Sequence, residues 1–441
     1  MDNKKLLNIV TLMILIAVPF LKFFSMSLEY FGIINNYDNI NPAIILYISL
    51  PVLVYIYISD IKKKRRKLDI FDFIVYGISF ISILSTLCSI DKNIAIFGKD
   101  FRHEGLLSVL SYLYLFLNWH VNGNVKDAKK YIKLIVIISV LNSIYSLFQM
   151  YTNLNFIVRY KDHLNLTMAS GMIGNPNFFG SLIVTSLSIL TYSFFIDNNS
   201  LTKKALLIIL LFMSLINCQS TGPMLTYFIV LLFSIFYLFK YKSFNKKRFI
   251  YIVLLLSFTF IFVNCINNIY NSSFDISNSS FDISNRSDEL SISGIKETIK
   301  SGGNGRITIW KNSLNIFKKY PWLGVGYDNF HLAYPNEKTN GITLSIVSGE
   351  IKKSDNNVLI FDNAHNVYLH QLVSTGIFGL ILFLTLYMIT FISALKSRDK
   401  LNFILLGGFI AYSIQGFANI NVVQVTPIYY LIMGLILSLS K

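Results

Sequence analysis

Apolar runs separated by short polar segments occupy most of the chain. Twelve runs are long enough to cross a bilayer, or nearly so where neighbouring helices shield them, since a spanning helix needs about 20 residues. They lie at about 6–24, 41–59, 70–90, 106–121, 131–150, 178–196, 205–217, 223–239, 249–267, 371–395, 401–417 and 425–440. The pattern predicts an all-α polytopic membrane protein, in which the seventh and eighth runs form a helical hairpin with its turn near the outer surface.

One polar connection is far longer than the others. It divides the chain into spans one to nine (1–267), an extracytoplasmic loop (268–370) and spans ten to twelve (371–441). Within the loop, residues 306–320 carry apolar side chains at helical spacing and are followed by Pro321, which predicts a short amphipathic helix on the membrane surface or on the bundle. The apolar positions of that helix are Ile307, Trp310, Leu314 and Phe317.

The charges are distributed unevenly between the connections. The sequence has 39 Lys and Arg against 23 Asp and Glu, a net charge of +16. With a cytoplasmic N-terminus, the inner segments hold 23 of the bases and seven of the acids, so they account for the whole excess. This follows the positive-inside rule, predicts that both termini are cytoplasmic, and leaves no charge to argue for nucleic acid as a partner. The sequence is 54% apolar and 14% charged, which excludes a soluble enzyme held by a single membrane anchor.

The outer-facing segments hold the residues best suited to chemistry. They are Arg102, Arg306, His365, Asn175, Asn177 and Asn366. A guanidinium binds diphosphate through two parallel hydrogen bonds, and an imidazole takes a proton from a hydroxyl near neutral pH. No phosphate-binding loop or zinc-protease motif is present, and His365 and His370 lie about 140° apart on a helix. We therefore expect no metal and no cofactor, and a lipid-diphosphate-linked donor is one candidate substrate.

Simpler interpretations stay open for each residue. His365 could be an interface histidine, and Arg306 could extend its charge to the membrane surface. Arg102 could equally pair with Glu104 or with lipid headgroups. Asn175 and Asn177 flank a proline, as turn-forming and capping residues do.

Several stretches of the sequence resemble the O-antigen ligase/polymerase family of polytopic bacterial glycosyltransferases. They are FGKDFRHEGL (97–106), GNPNFFG (174–180), GRITIW (305–310), YPWLGVGYDNF (320–330), AHNVYL (364–369) and STGIFGL (374–380). The order and spacing of the last three carry most of the resemblance. Twelve spans with one large outer loop before a late helix are also similar to the family.

The resemblance implies a membrane glycosyltransferase. The family transfers or polymerises glycans from undecaprenyl diphosphate at the outer face of the bacterial cytoplasmic membrane, without metal or ATP. Carried over, His365 would activate an acceptor hydroxyl and Arg306 would bind the diphosphate. Arg102, Asn366, Thr221, Asn175 and Asn177 are the further candidates for substrate binding. The acceptor would be a glycan or a glycolipid.

One position departs from the family pattern. Family ligases often carry a Ser-Arg-Gly motif at the outer end of the hairpin, whereas this chain has Ser220-Thr221-Gly222. A threonine hydroxyl bonds to phosphate but brings no charge, so Arg102 would have to compensate or the acceptor chemistry would differ. A polysaccharide polymerase with the same donor, and a lipid-linked oligosaccharide flippase, therefore stay as alternatives to a ligase.

Overall fold

The computed structural model describes most of the chain as helices. The described residues are 2–33, 41–64, 66–100, 102–152, 160–161, 167–240, 245–275, 306–334, 345–347, 350–352, 362–397 and 399–441. In chain order the helices are α1 (Asn3–Tyr30), α2 (Ile44–Lys64), α3 (Ile70–Leu87), α4 (Lys92–Phe97), α5 (Leu106–Asn122), α6 (Val125–Tyr151), α7 (Pro176–Ile196), α8 (Leu201–Asn217), α9 (Thr221–Lys240), α10 (Lys246–Asp275), α11 (Arg306–Lys319), α12 (Phe330–Ala333), α13 (Val367–Lys396), α14 (Lys400–Gln415) and α15 (Thr426–Leu439).

Two short antiparallel hairpins accompany the helices. The strands β1 (Tyr160–Lys161) and β2 (Thr167–Met168) form one pair, and β3 (Ser345–Val347) and β4 (Glu350–Lys352) form the other. The sequence analysis predicted neither pair, because strands of two or three residues leave no measurable alternation of polar and apolar positions. The rest of the prediction of an all-α fold agrees with the described residues.

Each of the twelve predicted apolar runs overlaps one helix. Among the described residues, eight helices are long and apolar enough to cross a membrane: α1, α2, α3, α6, α7, α9, α10 and α13. The other four, α5, α8, α14 and α15, have 14 to 17 residues. The predicted hairpin of α8 and α9 is present, with three residues between the helices. The chain is thus a polytopic helical membrane protein.

Helix α7 lies at the centre of the bundle. Most of its residues are buried, and it packs against α8, α9 and α14, while α15 packs along α5. Helices α10 and α9 instead expose many large apolar side chains, as helices do where they meet lipid. Helices α14 and α15 are also mostly buried, so the interior of the bundle is built around α7, α14 and α15.

The two ends of the bundle differ in the segments that form them. One end is where α1, α3 and α6 begin, and we call it the basic end. There Asp60, at the end of α2, accepts hydrogen bonds from Asn3 (2.8 Å) and from Asn122 (2.6 Å), which joins three helix termini. The opposite end, at which α5, α7 and α13 begin, carries the candidate site, and we call it the site end.

Candidate functional site

The site end is organised by a break in helix α13. The backbone at Gly376 leaves the helical conformation (φ 68°, ψ −168°), and the segment 321–327 crosses the helix there. The amides of Val325 and Gly326 donate to the carbonyls of Val373 and Ser374 (2.9 and 3.0 Å), which the break leaves without helical partners. The motifs YPWLGVGYDNF and STGIFGL are therefore the two sides of a single backbone junction.

Glycines make this junction possible. A Cβ atom on Gly376 would lie 2.2 Å from the carbonyl oxygen of Trp322, and one on Gly324 would lie 2.3 Å from the carbonyl oxygen of Val373. Both residues also have positive φ, a conformation that costs other residues about 1–2 kcal/mol. The sequence analysis treated this span as a continuous helix, because a single glycine in an apolar run does not reveal that another segment approaches it.

The two residues that follow the crossing segment, Asp328 and Asn329, hold the loop between α4 and α5. The Oδ2 atom of Asp328 accepts the backbone amides of Lys99 (3.0 Å) and Glu104 (3.1 Å). Asp328 is 2% exposed, and burial raises the pKa of its carboxyl to about 6 despite those two hydrogen bonds. Two side-chain hydrogen bonds between Asn329 and the backbone of Asp91 complete the contact. The loop that carries Arg102 is thereby fixed relative to α13.

Arg102 forms a buried ion pair with Asp362. Its Nε and Nη2 atoms donate to Oδ2 of Asp362 at 2.8 and 2.5 Å, and both side chains are less than 10% exposed. The guanidinium carbon also lies 5.4 Å from the ring centroid of Phe178, in the first turn of α7. The suggested pairing of Arg102 with Glu104 is wrong, because Glu104 instead accepts a hydrogen bond from Tyr112 (3.0 Å).

His365 lies three residues after Asp362 in the turn that leads into α13. Its backbone has positive φ (47°), and its amide donates to Oδ1 of Asn363 (3.2 Å). Its Nε2 atom is 4.0 Å from Oδ1 of Asp362, and its side chain is 24% exposed. Burial lowers the pKa of His365 to about 4, although the charge of Asp362 opposes that change. The imidazole is therefore neutral at pH 7 and able to accept a proton.

Arg306 is the first residue of α11, which packs against α13. Within the described part of the chain its guanidinium has neither a hydrogen bond nor an ion pair, and it is partly buried, which lowers its pKa. Its positive charge is the smallest of the causes that act on the pKa of His365 and lowers it, so the two side chains interact electrostatically. Their roles in catalysis stay a prediction.

Helix α11 forms where it was predicted but buries another face. The buried positions are Ile309, Asn312, Ser313 and Ile316, and Asn312 donates to the hydroxyl of Tyr334 (2.8 Å). Ile307 and Leu314, on the apolar face that the sequence analysis named, are 46% and 44% exposed and do not pack on the bundle. Contact of that face with the membrane surface, the other placement that the sequence analysis allowed, stays a prediction.

The predicted asparagines have structural partners. Asn366 caps α13 by accepting the amides of Tyr368 and Leu369, and Asn175 caps α7 in the same way. Asn177 accepts a hydrogen bond from Ser220 (2.6 Å), which ties the start of α7 to the turn of the α8–α9 hairpin. Thr221 is exposed at the start of α9. A role of these four residues in substrate binding stays a prediction.

The sequence analysis missed the acidic residues of the site. Asp362 and Asp328 both lie beside or within stretches that carry the resemblance, so their position was a usable signal. His370 is a further buried group, whose Nδ1 has no hydrogen-bond partner in the described ranges. Among those ranges no group of three His, Cys, Asp or Glu residues is placed to hold a metal ion. A metal-free reaction stays a prediction.

Residues 206–384 match the family model described as O-antigen ligase. This part of the chain is therefore similar to the O-antigen ligase family. The matched region runs from α8 through the break in α13 and includes Arg306, Asp328, Asp362 and His365. Arg102 and Phe178 lie outside it, so the pair between Arg102 and Asp362 connects the matched region to the preceding helices. No curated protein matches the chain.

Proposed function

We propose that this protein is a membrane glycosyltransferase of the O-antigen ligase type. It transfers a glycan from undecaprenyl diphosphate to an acceptor hydroxyl at the outer face of the bacterial cytoplasmic membrane. The observation that carries the proposal is a neutral, partly exposed imidazole at His365 that interacts electrostatically with Arg306, whose guanidinium has no protein partner in the described part of the chain. A base beside an anion-binding group is what this transfer requires.

In the proposed reaction the acceptor hydroxyl attacks the anomeric carbon of the donor. The new glycosidic bond forms as the bond between that carbon and the diphosphate oxygen breaks, and its electron pair leaves with the lipid diphosphate. His365 takes the proton of the hydroxyl, and Arg306 stabilises the negative charge on the departing oxygen. Because the leaving group is already activated, the step consumes no nucleotide.

The proposed topology has twelve spans, with both termini and the basic end in the cytoplasm. It rests on the distribution of Lys and Arg, since the helix termini that meet at the basic end belong to the base-rich segments. The four short helices would cross with neighbouring helices shielding their ends. The site end, with His365 and Arg306, would then face outward, where the lipid-linked donor is displayed.

The direct test is turnover by the purified protein in liposomes with a synthetic undecaprenyl-diphosphate glycan. We expect release of undecaprenyl diphosphate without nucleotide and in the presence of EDTA. His365→Ala should lower the rate by roughly 100-fold or more, and Arg306→Gln by about 100- to 1000-fold. His331→Ala and the exposed Lys311→Gln, on the same helix as Arg306, are the matched controls and should stay near the wild-type rate.

The outcomes separate the alternatives. Wild-type turnover by His365→Ala would contradict the proposed base. Movement of intact donor across the bilayer without release of lipid diphosphate would favour the flippase. Products longer than one transferred glycan would favour the polymerase, for which the absence of an arginine at Thr221 is the motivating observation.

A further inference from the structure

The carboxylate of Asp362 uses only one of its two oxygens for Arg102. Both guanidinium donors go to Oδ2, whereas Oδ1 is buried and has no hydrogen-bond partner in the described ranges. A buried carboxylate oxygen without a partner is costly, and such atoms concentrate at functional sites. Nε2 of His365 lies 4.0 Å from this oxygen.

Arg102 is held so that it cannot easily serve another anion. Asp362 occupies its Nε and Nη2 atoms, and the ring of Phe178 lies 5.4 Å from its guanidinium carbon. The loop of Arg102 is itself fixed by Asp328 through the amides of Lys99 and Glu104. These contacts fix the position of Asp362 and leave Arg102 with little capacity to bind a substrate. Arg306, without such partners, is better placed to bind the diphosphate.

Four groups surround the imidazole of His365. Asp362 precedes it in the same turn, Arg102 comes from the loop before α5, Arg306 from α11, and His370 from α13. Asp362 supplies the negative charge among them and favours the protonated imidazole, while the two arginines oppose it.

We propose, on the basis of the proposed transfer reaction, that Asp362 is a positioning residue which, anchored by Arg102, orients His365 and stabilises its imidazolium during the reaction. The hydroxyl proton passes to Nδ1 of His365, and the Nε2–H bond turns toward Oδ1 of Asp362, shortening the 4.0 Å separation to a charge-assisted hydrogen bond. Asp362 stays ionised throughout, because burial raises the pKa of that carboxyl less than Arg102, His365 and Lys99 together lower it, so the pKa lies below its ordinary value.

The test compares pH–rate profiles on their acid side. We call the part of a profile in which the rate falls as the pH decreases its acid limb. The base acts in its neutral form, so the rate falls as the pH drops through the pKa of His365. Asp362→Asn removes the charge that favours protonation, so its acid limb should move to lower pH by about one unit, and its plateau rate should fall by roughly 100-fold.

A second readout needs no substrate. Diethyl pyrocarbonate acylates neutral imidazoles, and mass spectrometry can follow the labelling rate of His365 against pH. We expect the same displacement to lower pH in Asp362→Asn, and a wild-type profile in Arg102→Lys, which keeps the charge that holds Asp362 ionised. Asp197→Asn, which removes a carboxylate paired to Lys204 at the basic end, is the matched control and should change neither readout.

The two proposals fail in different ways. If His365→Ala is inactive while Asp362→Asn keeps the wild-type rate and acid limb, only the positioning role is refuted. A loss of rate in Asp362→Asn with an unmoved limb and an unmoved labelling profile would also refute it, because that result indicates a structural role alone. If wild-type protein releases no lipid diphosphate but the labelling profile of His365 moves to lower pH in Asp362→Asn, the transfer reaction is refuted and the interaction of Asp362 with His365 is supported.

Discussion

The two ends of the bundle use charged side chains in opposite ways. At the basic end Lys4 pairs with Asp127 (2.6 Å), Arg66 contacts both Asp69 and Asp72, and His120 contacts Asp69 (2.7 Å). At the site end, within the described ranges, Arg306 has no partner and the imidazole of His365 has no hydrogen bond. Both ends contain arginine, aspartate and histidine, so composition alone does not distinguish them.

Arg102 and Asp362 form a buried pair at the site end too, so the difference lies in the groups beside that pair, Arg306 and His365, whose charged or basic atoms have no hydrogen bond in the described ranges. A buried ion pair whose atoms all have partners fixes the helices that carry it, and removal of one member leaves the other uncompensated. A charged or basic group without a partner contributes little to stability and is available to a ligand. Neutralising a charge should therefore cost stability at the basic end and activity at the site end.

The largest expected effect on stability is at Asp72. This fully buried carboxylate accepts hydrogen bonds from Arg66, from the hydroxyl of Tyr57 (2.6 Å) and from the amide of Asp69 (2.7 Å). Asp72→Asn should destabilise the protein by about 3–5 kcal/mol, because it leaves Arg66 without its buried counter-ion. Thermal melting in detergent measures this, and the folded fraction should transfer glycan at the wild-type rate.

The pair between Asp197 and Lys204, in which the carboxylate is 39% exposed, provides the control for Asp72. Asp197→Asn should change stability by less than about 1 kcal/mol, because solvent already screens that pair. Loss of transfer in folded Asp72→Asn, with unchanged melting, would show that the basic end is not purely structural.

An intermediate effect is expected at the break in α13. Gly376→Ala should destabilise the protein by about 2–4 kcal/mol, because it combines the cost of positive φ with a backbone clash against Trp322. Gly32 has nearly the same φ (69°), but no atom lies within 4 Å of the place that a methyl group would take there. Gly32→Ala should therefore show the conformational cost alone, about 1–2 kcal/mol. Equal melting temperatures for the two variants would contradict the close backbone contact between Gly376 and Trp322.

The smallest effect is a pH dependence at Asp328. The folded pKa of about 6 exceeds the ordinary value of 3.8, so the stabilising contribution of this carboxyl is present below about pH 4 and is lost as the pH rises through 6. Asp328→Asn keeps an acceptor for the two amides and does not titrate. Its melting temperature relative to wild type should therefore rise between pH 4 and pH 7, equivalent to about 1–3 kcal/mol. Parallel curves across that interval would contradict this assignment.

The helices were predictable because each depends on its own residues. Length and apolarity fixed the position of every predicted run, and the cap at Asn175 follows from residues beside it. The break at Gly376 was not predictable, because the segment that imposes it lies about 50 residues earlier in the chain. The face of α11 that packs on the bundle could not be predicted from the local sequence either, since Ile307 and Ile309 are equally apolar.

The site was predictable only in part, for the same reason. Arg306 and His365 were identified from their chemistry and from neighbouring motif residues. The partner of Arg102 is 260 residues away, and no spacing rule connects the two positions. A local pattern therefore identified candidate groups but could not show that Arg102 is already occupied by Asp362.

The junction at Gly376 also constrains the order in which the protein can be made. The contacts among Asn3, Asp60 and Asn122 can close once the first third of the chain has been synthesised. The guanidinium of Arg102 must wait for Asp362, and the backbone of 321–327 must wait for the start of α13. Because synthesis runs from the N-terminus, a growing chain acquires its anchored end early and remains without a working reaction centre until its last quarter has emerged.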